Sequence, residues 1–174
     1  MDRIASQIQG QLAALKVLVV DDERMMRKVT RSLLQAIGVN SIYEADSSRS
    51  GVEAICTLAP DMVILDWEMP GGPNGAEFVR QVRSPANFPY PDLPIIMLTA
   101  FADRARVVEA VKLGVNEFLL KPVSSKMLLS RLVSVLNSPR HMVKKGNHYV
   151  PAPRGTSAFK AEPDPRLSKF ELVD

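Results

Sequence analysis

The sequence predicts an open, doubly wound α/β fold, in which helices cover both faces of a five-stranded parallel sheet. Between residues 15 and 136, five short apolar runs alternate with five segments of helical periodicity. Most runs are apolar at consecutive positions, which indicates strands that are buried on both faces. Crossovers that join parallel strands through a helix are right-handed, so the order of elements also predicts the handedness.

The first predicted element is a short helix over about residues 2–14. Ile4, Ile8, Leu12 and Leu15 recur at spacings of four, four and three, which places them on one stripe of an amphipathic helix. The stripe indicates either that the helix docks on the domain or that it contacts a second copy of the chain.

Five strands and five helices then follow in alternation. Gly38 and Gly114 stand where two helices should end, because glycine readily adopts the left-handed conformation found there. Ser47 is a suitable N-cap for one helix, and Ser124 or Ser125 begins the last. The predicted strands span residues 16–21, 41–45, 62–66, 94–99 and 117–121. The predicted helices span about residues 23–37, 48–58, 75–83, 102–113 and 125–136.

Residues 137–174 form a tail of different composition. The tail holds 7 Lys/Arg and 4 Asp/Glu, whereas residues 1–136 hold 15 of each, so the whole net charge of +3 lies in the tail. Five prolines and few apolar runs leave it too little surface to bury in a core. We expect it to be extended or disordered, with room for a short docked piece around residues 167–173. The predicted division is a helix over 1–14, a domain over 15–136 and this tail.

The composition excludes several classes of protein. The apolar fraction of 46% is ordinary for a globular protein. Cys56 is the only cysteine, which excludes an intrachain disulfide and a cysteine-based zinc site. No run approaches the roughly 18 apolar residues of a membrane span, and the N-terminus is too polar for a signal peptide. We expect a cytoplasmic protein that binds neither membranes nor DNA, because three surplus charges are few for nucleic acid.

Polar side chains follow four of the five predicted strands. The carboxyl ends of parallel strands meet at one edge of the sheet, where ligands bind in folds of this class. We therefore expect carboxylates, one hydroxyl and one ammonium to converge there. They are Asp21, Asp22 and Glu23 after the first strand, Asp66 at the end of the third, Thr99 at the end of the fourth and Lys121 at the end of the fifth.

Such a group of side chains suits phosphoryl chemistry. Two carboxylates about 4 Å apart repel by roughly 4 kcal/mol at an effective dielectric constant near 20, so a cation relieves them. Ligands that are all oxygen favour Mg²⁺, which shares its coordination shell with phosphate. A carboxylate such as Asp66 could then attack phosphorus and form an acyl phosphate.

The ordered set of motifs resembles the receiver domain of two-component response regulators. Each motif is common by itself, but their order at four strand ends over about residues 15–136 is specific. The resemblance implies the flavodoxin-like (βα)5 receiver fold, and the chain is similar to single-domain regulators of the chemotaxis type with a C-terminal extension. The matching motifs are Asp21-Asp22, Asp66 within Asp-Trp-Glu-Met-Pro, Thr99-Ala100 and Lys121-Pro122.

The resemblance implies a phosphoacceptor and a metal site. Asp66 would receive a phosphoryl group from the phosphohistidine of a sensor histidine kinase or a phosphotransfer protein. Asp21, Asp22 and Asp66 would bind Mg²⁺, with the main-chain carbonyl of Glu68 as a further ligand. The protein would then be a regulator and not an enzyme, apart from its own phosphorylation and dephosphorylation.

The resemblance also implies which residues contact the phosphoryl group. Thr99, Ala100 and Lys121 would bind it, and Thr99 would form a switch pair with Phe118. The aromatic residue at that position turns inward in the family, and Phe118 lacks a hydroxyl, so any switch role rests on packing alone. The peptide bond between Lys121 and Pro122 would be cis.

The implied function is a phosphorylation-dependent switch that alters one face of the domain. This face would include the last strand and parts of 103–113 and 124–136, and an unknown downstream protein would bind it. The tail is too short for an appended DNA-binding domain. We expect a monomer or weak dimer. The alternative is a phosphatase-type enzyme with Asp66 as its nucleophile, although Glu68 stands where such enzymes carry a second aspartate.

The sequence departs from the family pattern near the phosphoacceptor. Gly75 lies nine residues after Asp66, one more than is usual. Glu68 occupies a position that helps set the lifetime of the acyl phosphate in receivers, and Phe101 is bulky enough to shield the phosphoryl group. We expect slow self-dephosphorylation.

Simpler structural roles are open for several of these residues. Asp21 and Asp22 could cap the following helix, and Thr99 could be the N-cap of the helix after it. We expect Cys56 to be buried in its helix. Trp67 is expected to be partly exposed beside the phosphoacceptor.

Overall fold

The computed structural model describes residues 3–72, 74–86, 88–101 and 103–153. Its main sheet has five parallel strands in the order β2-β1-β3-β4-β5. The predicted doubly wound α/β fold is therefore confirmed. The strands are β1 (Lys16–Val20), β2 (Ser41–Ala45), β3 (Met62–Asp66), β4 (Ile95–Thr99) and β5 (Glu117–Leu120).

Six helices accompany the sheet within the described residues. All six begin and end within about two residues of the predicted bounds, and four of them have a side-chain N-cap. Ser47, Asn74, Asp103 and Ser124 each accept a hydrogen bond from a backbone N–H of the helix that they precede. The helices are α1 (Arg3–Ala14), α2 (Arg24–Ala36), α3 (Ser48–Leu58), α4 (Gly75–Val82), α5 (Arg104–Leu113) and α6 (Ser125–Asn137).

The strands are buried on both faces, and each face has its own core. Along β1, Leu18 and Val20 point into a core that includes Phe78 of α4. Val17 and Val19 point into the opposite core, which includes Leu34 of α2 and Leu128 of α6. A fully buried side chain of this size stabilises the fold by roughly 1.5–3 kcal/mol relative to exposure.

The N-terminal helix α1 docks on the second core through its C-terminal half. Leu12 and the following Leu15 are buried beside Leu34, and Ile8 is partly buried there. Ile4 is 65% exposed at the start of the helix. The docking interpretation of the apolar stripe is therefore confirmed for its C-terminal part, and the dimer contact stays a prediction.

The expectation of an extended or disordered tail is wrong for residues 142–151. These residues form a two-stranded antiparallel hairpin, β6 (Met142–Lys145) and β7 (His148–Pro151). The Tyr149 N–H donates to the main-chain carbonyl of Arg83 at 3.0 Å, and the Arg140 side chain donates to the carbonyls of Ala152 and Asn116. Polar contacts to the domain, rather than a core of its own, keep this segment in place. The docked piece expected around 167–173 lies outside the described residues.

Cys56 is exposed, and not buried as expected, because it lies on the outer side of α3 while Ile55 takes the buried position.

Among the described helices, none has the length and apolar character that crossing a membrane requires.

Candidate functional site

The structure brings the predicted polar side chains together at the carboxyl edge of the sheet. Asp66 is the last residue of β3, the central strand of the five. Asp21 directly follows β1 on one side, and Thr99 ends β4 on the other. Lys121 directly follows β5 and reaches back across β4 to Asp66. Parallel pairing in register therefore aligns these residues along one edge.

Three carboxylates form a compact acidic cluster at this edge. Asp21, Asp22 and Asp66 each offer an oxygen within 4.8 Å of the other two. Asp21 and Asp66 are 2% and 4% exposed, whereas Asp22 is open to solvent. Two carboxylates of the cluster are therefore buried, and the third is accessible from solvent.

Lys121 is the ammonium that faces this cluster. Its Nζ donates to Asp66 Oδ1 at 2.9 Å and lies 3.9 Å from Asp21 Oδ2. The Lys121 ammonium therefore lies beside both buried carboxylates of the cluster. The bond between Lys121 and Pro122 is cis, the isomer that the resemblance implied.

Burial dominates the protonation behaviour of the cluster. Burial raises the pKa of Asp66 to about 6, although Lys121 opposes the rise, and the charges of Asp21 and Glu68 add to it. The pKa of Asp21 is raised chiefly by burial, against a backbone hydrogen bond from Glu23 and the charge of Lys121. Both buried carboxylates are thus disfavoured as anions while no further cation is present.

The donor set fits a hard divalent cation. Its side chains supply carboxylate oxygens, which are the ligands that Mg²⁺ takes in proteins. Burial raises the pKa of both Asp21 and Asp66, and a bound cation would favour their charged forms. The resemblance to receiver domains implies Mg²⁺ at this position, where Asp21, Asp22 and Asp66 form the cluster.

The Glu68 side chain makes contacts that the sequence analysis did not anticipate. Its Oε1 accepts a hydrogen bond from the Thr99 hydroxyl at 2.5 Å, and its Oε2 accepts one from the Ala100 N–H at 3.2 Å. Oε1 also lies 3.6 Å from the guanidinium of Arg106 on α5. The position of Glu68 two residues after Asp66 did not reveal these contacts, because its partners lie at the end of β4 and on α5.

Thr99 is buried at the end of β4 and does not cap the next helix. The N-cap of α5 is Asp103, whose side chain accepts from the Arg106 N–H. The Thr99 hydroxyl instead accepts from the Phe101 N–H at 3.1 Å while it donates to Glu68. The N-cap alternative is therefore wrong, and the hydroxyl faces the site.

The acidic pair after β1 does not supply the N-cap of α2 either. That position belongs to Glu23, which makes no side-chain capping hydrogen bond. Asp21 Oδ1 accepts the Glu23 N–H at 2.8 Å, which holds the Asp21 carboxylate towards the cluster. The arrangement favours a role in the site over a role in capping.

Aromatic residues surround the site at different depths. Trp67 is 7% exposed, so the expectation of partial exposure is wrong, because its ring packs into the first core. Phe101 is 53% exposed, and the Arg106 guanidinium lies 4.5 Å from the centre of its ring. Phe118 on β5 is partly buried against the first core and pairs with Met97 of β4.

Gly75 closes the loop that follows Asp66. A side-chain carbon at Gly75 would lie 2.9 Å from the Asp66 carbonyl oxygen and 2.9 Å from Trp67 Cα. The Gly75 N–H donates to the Trp67 carbonyl at 3.2 Å. Glycine is therefore required for α4 to begin directly beneath Asp66, despite the extra residue in the loop.

Comparison with known proteins agrees with this geometry. The model of the "response regulator receiver domain" family matches residues 17–133. A chemotaxis protein CheY homolog of Campylobacter jejuni is 39% identical over 128 residues, which cover 71% of this chain and 94% of the relative. Chemotaxis protein CheY1 of Helicobacter pylori is 35% identical over 125 residues, covering 71% and 98%.

Solved structures show the same likeness. The chemotaxis response regulator CheY4 of Vibrio cholerae superposes with a TM-score of 0.62 at 31% identity, covering 70% of this chain and 98% of that structure. A putative response regulator of Chloroflexus aurantiacus superposes with a TM-score of 0.63 at 27% identity, covering 71% and 98%. The family model and the relatives both cover most of the chain, and the chain therefore belongs to the response regulator receiver domain family.

Proposed function

We propose that this chain is a cytoplasmic signalling switch that is phosphorylated on Asp66 by a sensor histidine kinase or a phosphotransfer protein. The observation that carries the proposal is the buried Asp66 carboxylate, 2.9 Å from the Lys121 ammonium and within a cluster of three carboxylates. Proteins of this family are signalling regulators rather than conventional enzymes. The relatives named above are chemotaxis proteins, which supports a motility-related pathway.

The proposed reaction transfers one phosphoryl group. An Asp66 carboxylate oxygen forms a bond to phosphorus, the bond from phosphorus to the donor histidine nitrogen breaks, and the nitrogen keeps the electron pair. Among the described residues, the hydrogen bonds to this carboxylate, from Lys121 Nζ and the Glu68 N–H, both fall on Oδ1. Oδ2 is therefore the oxygen better placed to form the new bond.

The acidic cluster would hold Mg²⁺ during this reaction. Asp21, Asp22 and Asp66 would supply carboxylate oxygens, and the main-chain carbonyl of Glu68 would be a further ligand. When bound, the ion supplies positive charge that offsets the negative charge of the transferring phosphoryl group. The Lys121 ammonium, which already lies beside Asp66, would supply a second positive charge.

Two hydrogen-bond donors at the carboxyl end of β4 and one aromatic residue on β5 would respond to phosphorylation of Asp66. The Thr99 hydroxyl and the Ala100 N–H stand at the end of the strand next to Asp66 and would donate to phosphoryl oxygens. Movement of Thr99 towards Asp66 would change the packing of Phe118, which is partly buried on the neighbouring strand. The altered face would comprise α5, β5 and α6, and its partner would be a downstream protein.

Phosphorylation by acetyl phosphate, followed on phosphate-affinity gels, tests the proposal. Wild type should become singly phosphorylated in the presence of Mg²⁺, and chelation of Mg²⁺ should abolish the reaction. Asp66→Asn should remain unphosphorylated. The control is Asp61→Asn, which changes an exposed carboxylate at the far end of β3 that accepts the Lys16 N–H. Equal phosphorylation of wild type and Asp66→Asn would refute the assignment.

Donor identity requires a separate measurement. Purified phosphorylated histidine kinases of the host organism should transfer label to wild type and not to Asp66→Asn. Transfer within seconds from one kinase, and far more slowly from others, would identify the cognate donor. If acetyl phosphate labels the wild type but none of the kinases does, the histidine-kinase part of the proposal is wrong.

A further inference from the structure

The Glu68 side chain occupies the hydrogen-bond donors that the proposed function assigns to the phosphoryl group. One carboxylate oxygen accepts from the Thr99 hydroxyl at 2.5 Å, and the other accepts from the Ala100 N–H at 3.2 Å. A carboxylate that offers one oxygen to each donor resembles two oxygens of a phosphoryl group, since both are anionic acceptors. The donors are therefore already engaged in the unphosphorylated protein.

The Thr99 hydroxyl cannot serve both acceptors at once. A hydroxyl carries one proton, and the Phe101 N–H donates to the same oxygen from behind at 3.1 Å. Two acceptors lie within reach of its proton, the Glu68 carboxylate at 2.5 Å and the Phe101 carbonyl at 3.1 Å, and the shorter distance and the negative charge favour Glu68. A phosphoryl group on Asp66 could receive this proton only after the hydroxyl had left the Glu68 carboxylate.

We propose that Glu68 is an internal competitor of the phosphoryl group, an inference that rests on the proposed function and deepens it. In the unphosphorylated protein the Glu68 carboxylate holds Thr99 and Ala100, and phosphorylation of Asp66 displaces it. Glu68 follows Asp66 by two residues, so the competitor and the phosphoryl group are attached to the same short segment. Repulsion between their negative charges favours the exit of Glu68 once the acyl phosphate has formed.

Displacement of Glu68 would change the ion pairs at the start of α5. Oε1 of Glu68 lies 3.6 Å from Arg106, which also pairs with Asp103 at 3.1 Å and covers the ring of Phe101. Arg106 would lose the Glu68 carboxylate when Glu68 leaves and would keep that of Asp103. The Glu68 side chain therefore connects the occupancy of the site to the first turn of a helix on the proposed output face.

Binding of beryllofluoride, a phosphoryl mimic, to the full chain at saturating Mg²⁺ tests the competition. We expect Glu68→Ala and Glu68→Asp each to bind roughly tenfold more tightly than wild type by calorimetry, because a charge-assisted competitor has been removed. Asp keeps the negative charge but is one methylene shorter, so it cannot hold both donors. Tightening in Glu68→Ala alone would show that charge repulsion acts without competition, and equal affinities in all three proteins would also overturn the proposal.

Hydrogen exchange of the Ala100 amide supplies a second readout in the free protein. We expect slower exchange in wild type than in either Glu68 variant, because the Ala100 N–H donates to Glu68. The matched control is Glu53→Asp on α3, an exposed position that pairs with Arg49, and it should change neither readout. Arg106→Ala should alter the affinity at most about twofold, since exposed ion pairs contribute little.

The same titrations separate failure of this inference from failure of the proposed function. If wild type does not bind beryllofluoride, or if Asp66→Asn binds it equally well, then both proposals are wrong. If wild type binds, Asp66→Asn does not, and the two Glu68 variants behave like wild type, then only the competitor role of Glu68 is wrong.

Discussion

Each end of the sheet holds a buried charged side chain, and the two charges have different surroundings. At the amino end, Arg83 is fully buried just after α4. At the carboxyl end, Asp66 is 4% exposed and has Lys121 as its ammonium partner, with Asp21 and Asp22 close by. The Arg83 guanidinium donates at 2.6–2.9 Å to four neutral oxygens, which are the carbonyls of Pro91, Leu93 and Gly114 and the side-chain oxygen of Asn116.

The buried charge at the amino end of the sheet has a structural role, whereas the buried charge at the carboxyl end favours ligand binding. Burial lowers the pKa of the Arg83 guanidinium to about 9, but its donors meet oxygens in the loop before β4, the end of α5 and the start of β5. Arg83 therefore remains charged at neutral pH and connects three segments. Burial raises the pKa of Asp66 to about 6 among like charges. The carboxyl end thus keeps a charge imbalance that a ligand can relieve.

Replacement of Arg83 gives the largest effect that this comparison predicts. Arg83→Met should lower the free energy of unfolding by about 3–5 kcal/mol. The buried carbonyls of Leu93 and Gly114 and the partly buried carbonyl of Pro91 lose this donor, and Asn116 Oδ1 keeps only the N–H of Ile95. Urea unfolding followed by circular dichroism measures the change. Phosphorylation of the fraction that stays folded should persist, since Arg83 lies at the opposite end of the sheet from Asp66.

Arg80→Met is the matched control for this prediction. Arg80 lies one turn earlier on α4, is about half exposed and pairs with Glu109 at 3.5 Å. Its replacement should change the free energy of unfolding by no more than about 0.5 kcal/mol. Equal losses from both variants would mean that Arg83 does not connect the three segments as described.

Removing the charge of Asp66 should have the opposite sign. In metal-free buffer at pH 7, Asp66→Asn should raise the free energy of unfolding by about 1–3 kcal/mol, because an amide escapes the cost of burying a carboxylate among like charges. Thermal unfolding with chelator present measures the gain. Saturating Mg²⁺ should stabilise wild type more than the variant, and an unchanged or lower stability of Asp66→Asn would contradict the charge imbalance.

The gain from Asp66→Asn should depend on pH in a defined window. The pKa of Asp66 is about 6 in the folded protein and 3.8 in the unfolded chain. Well below pH 3.8 the carboxyl is protonated in both states, so its burial does not reduce the free energy of unfolding there. Between pH 4 and 6 the unfolded chain loses its proton first, and wild-type stability falls as pH rises. The difference between variant and wild type should therefore grow from pH 4 to about 6 and then level off. A difference that shrinks over this window would refute the assigned direction.

The sequence was enough to predict the elements and the acidic edge because both depend on local signals. Apolar runs, capping residues and glycines act over a few residues, and parallel pairing then places every strand's carboxyl end on one side. Asp66 and Lys121 were therefore predictable as neighbours although 55 residues separate them.

Contacts formed by long side chains across elements were not predictable in this way. In the sequence, Arg83 looks like an ordinary charged residue at the end of a helix. Its burial depends on a proline-rich loop that brings Pro91 and Leu93 over it. Glu68 points to Thr99 of another strand rather than to solvent. The hairpin at 142–151 gains its stability from the domain, so its own composition did not reveal it.

The hairpin allows the smallest predicted effect to be measured at the amino end. The Arg140 side chain donates to the carbonyls of Pro151, the last residue of β7, and of Ala152, and also to that of Asn116 beside Arg83. Arg140→Ala should lower the overall free energy of unfolding by only about 1 kcal/mol, because these hydrogen bonds are partly open to water.

Local opening should nevertheless be clear in this variant. Hydrogen exchange of the β6 and β7 amides should accelerate in Arg140→Ala, whereas the strands of the main sheet keep their protection. Lys144→Ala removes the same charge from an exposed position of the hairpin and should leave exchange unchanged. If Lys144→Ala opened the hairpin as much as Arg140→Ala, net charge rather than directed hydrogen bonds would hold it on the domain. The amino end would then resemble the carboxyl end, where unbalanced charge is the controlling feature.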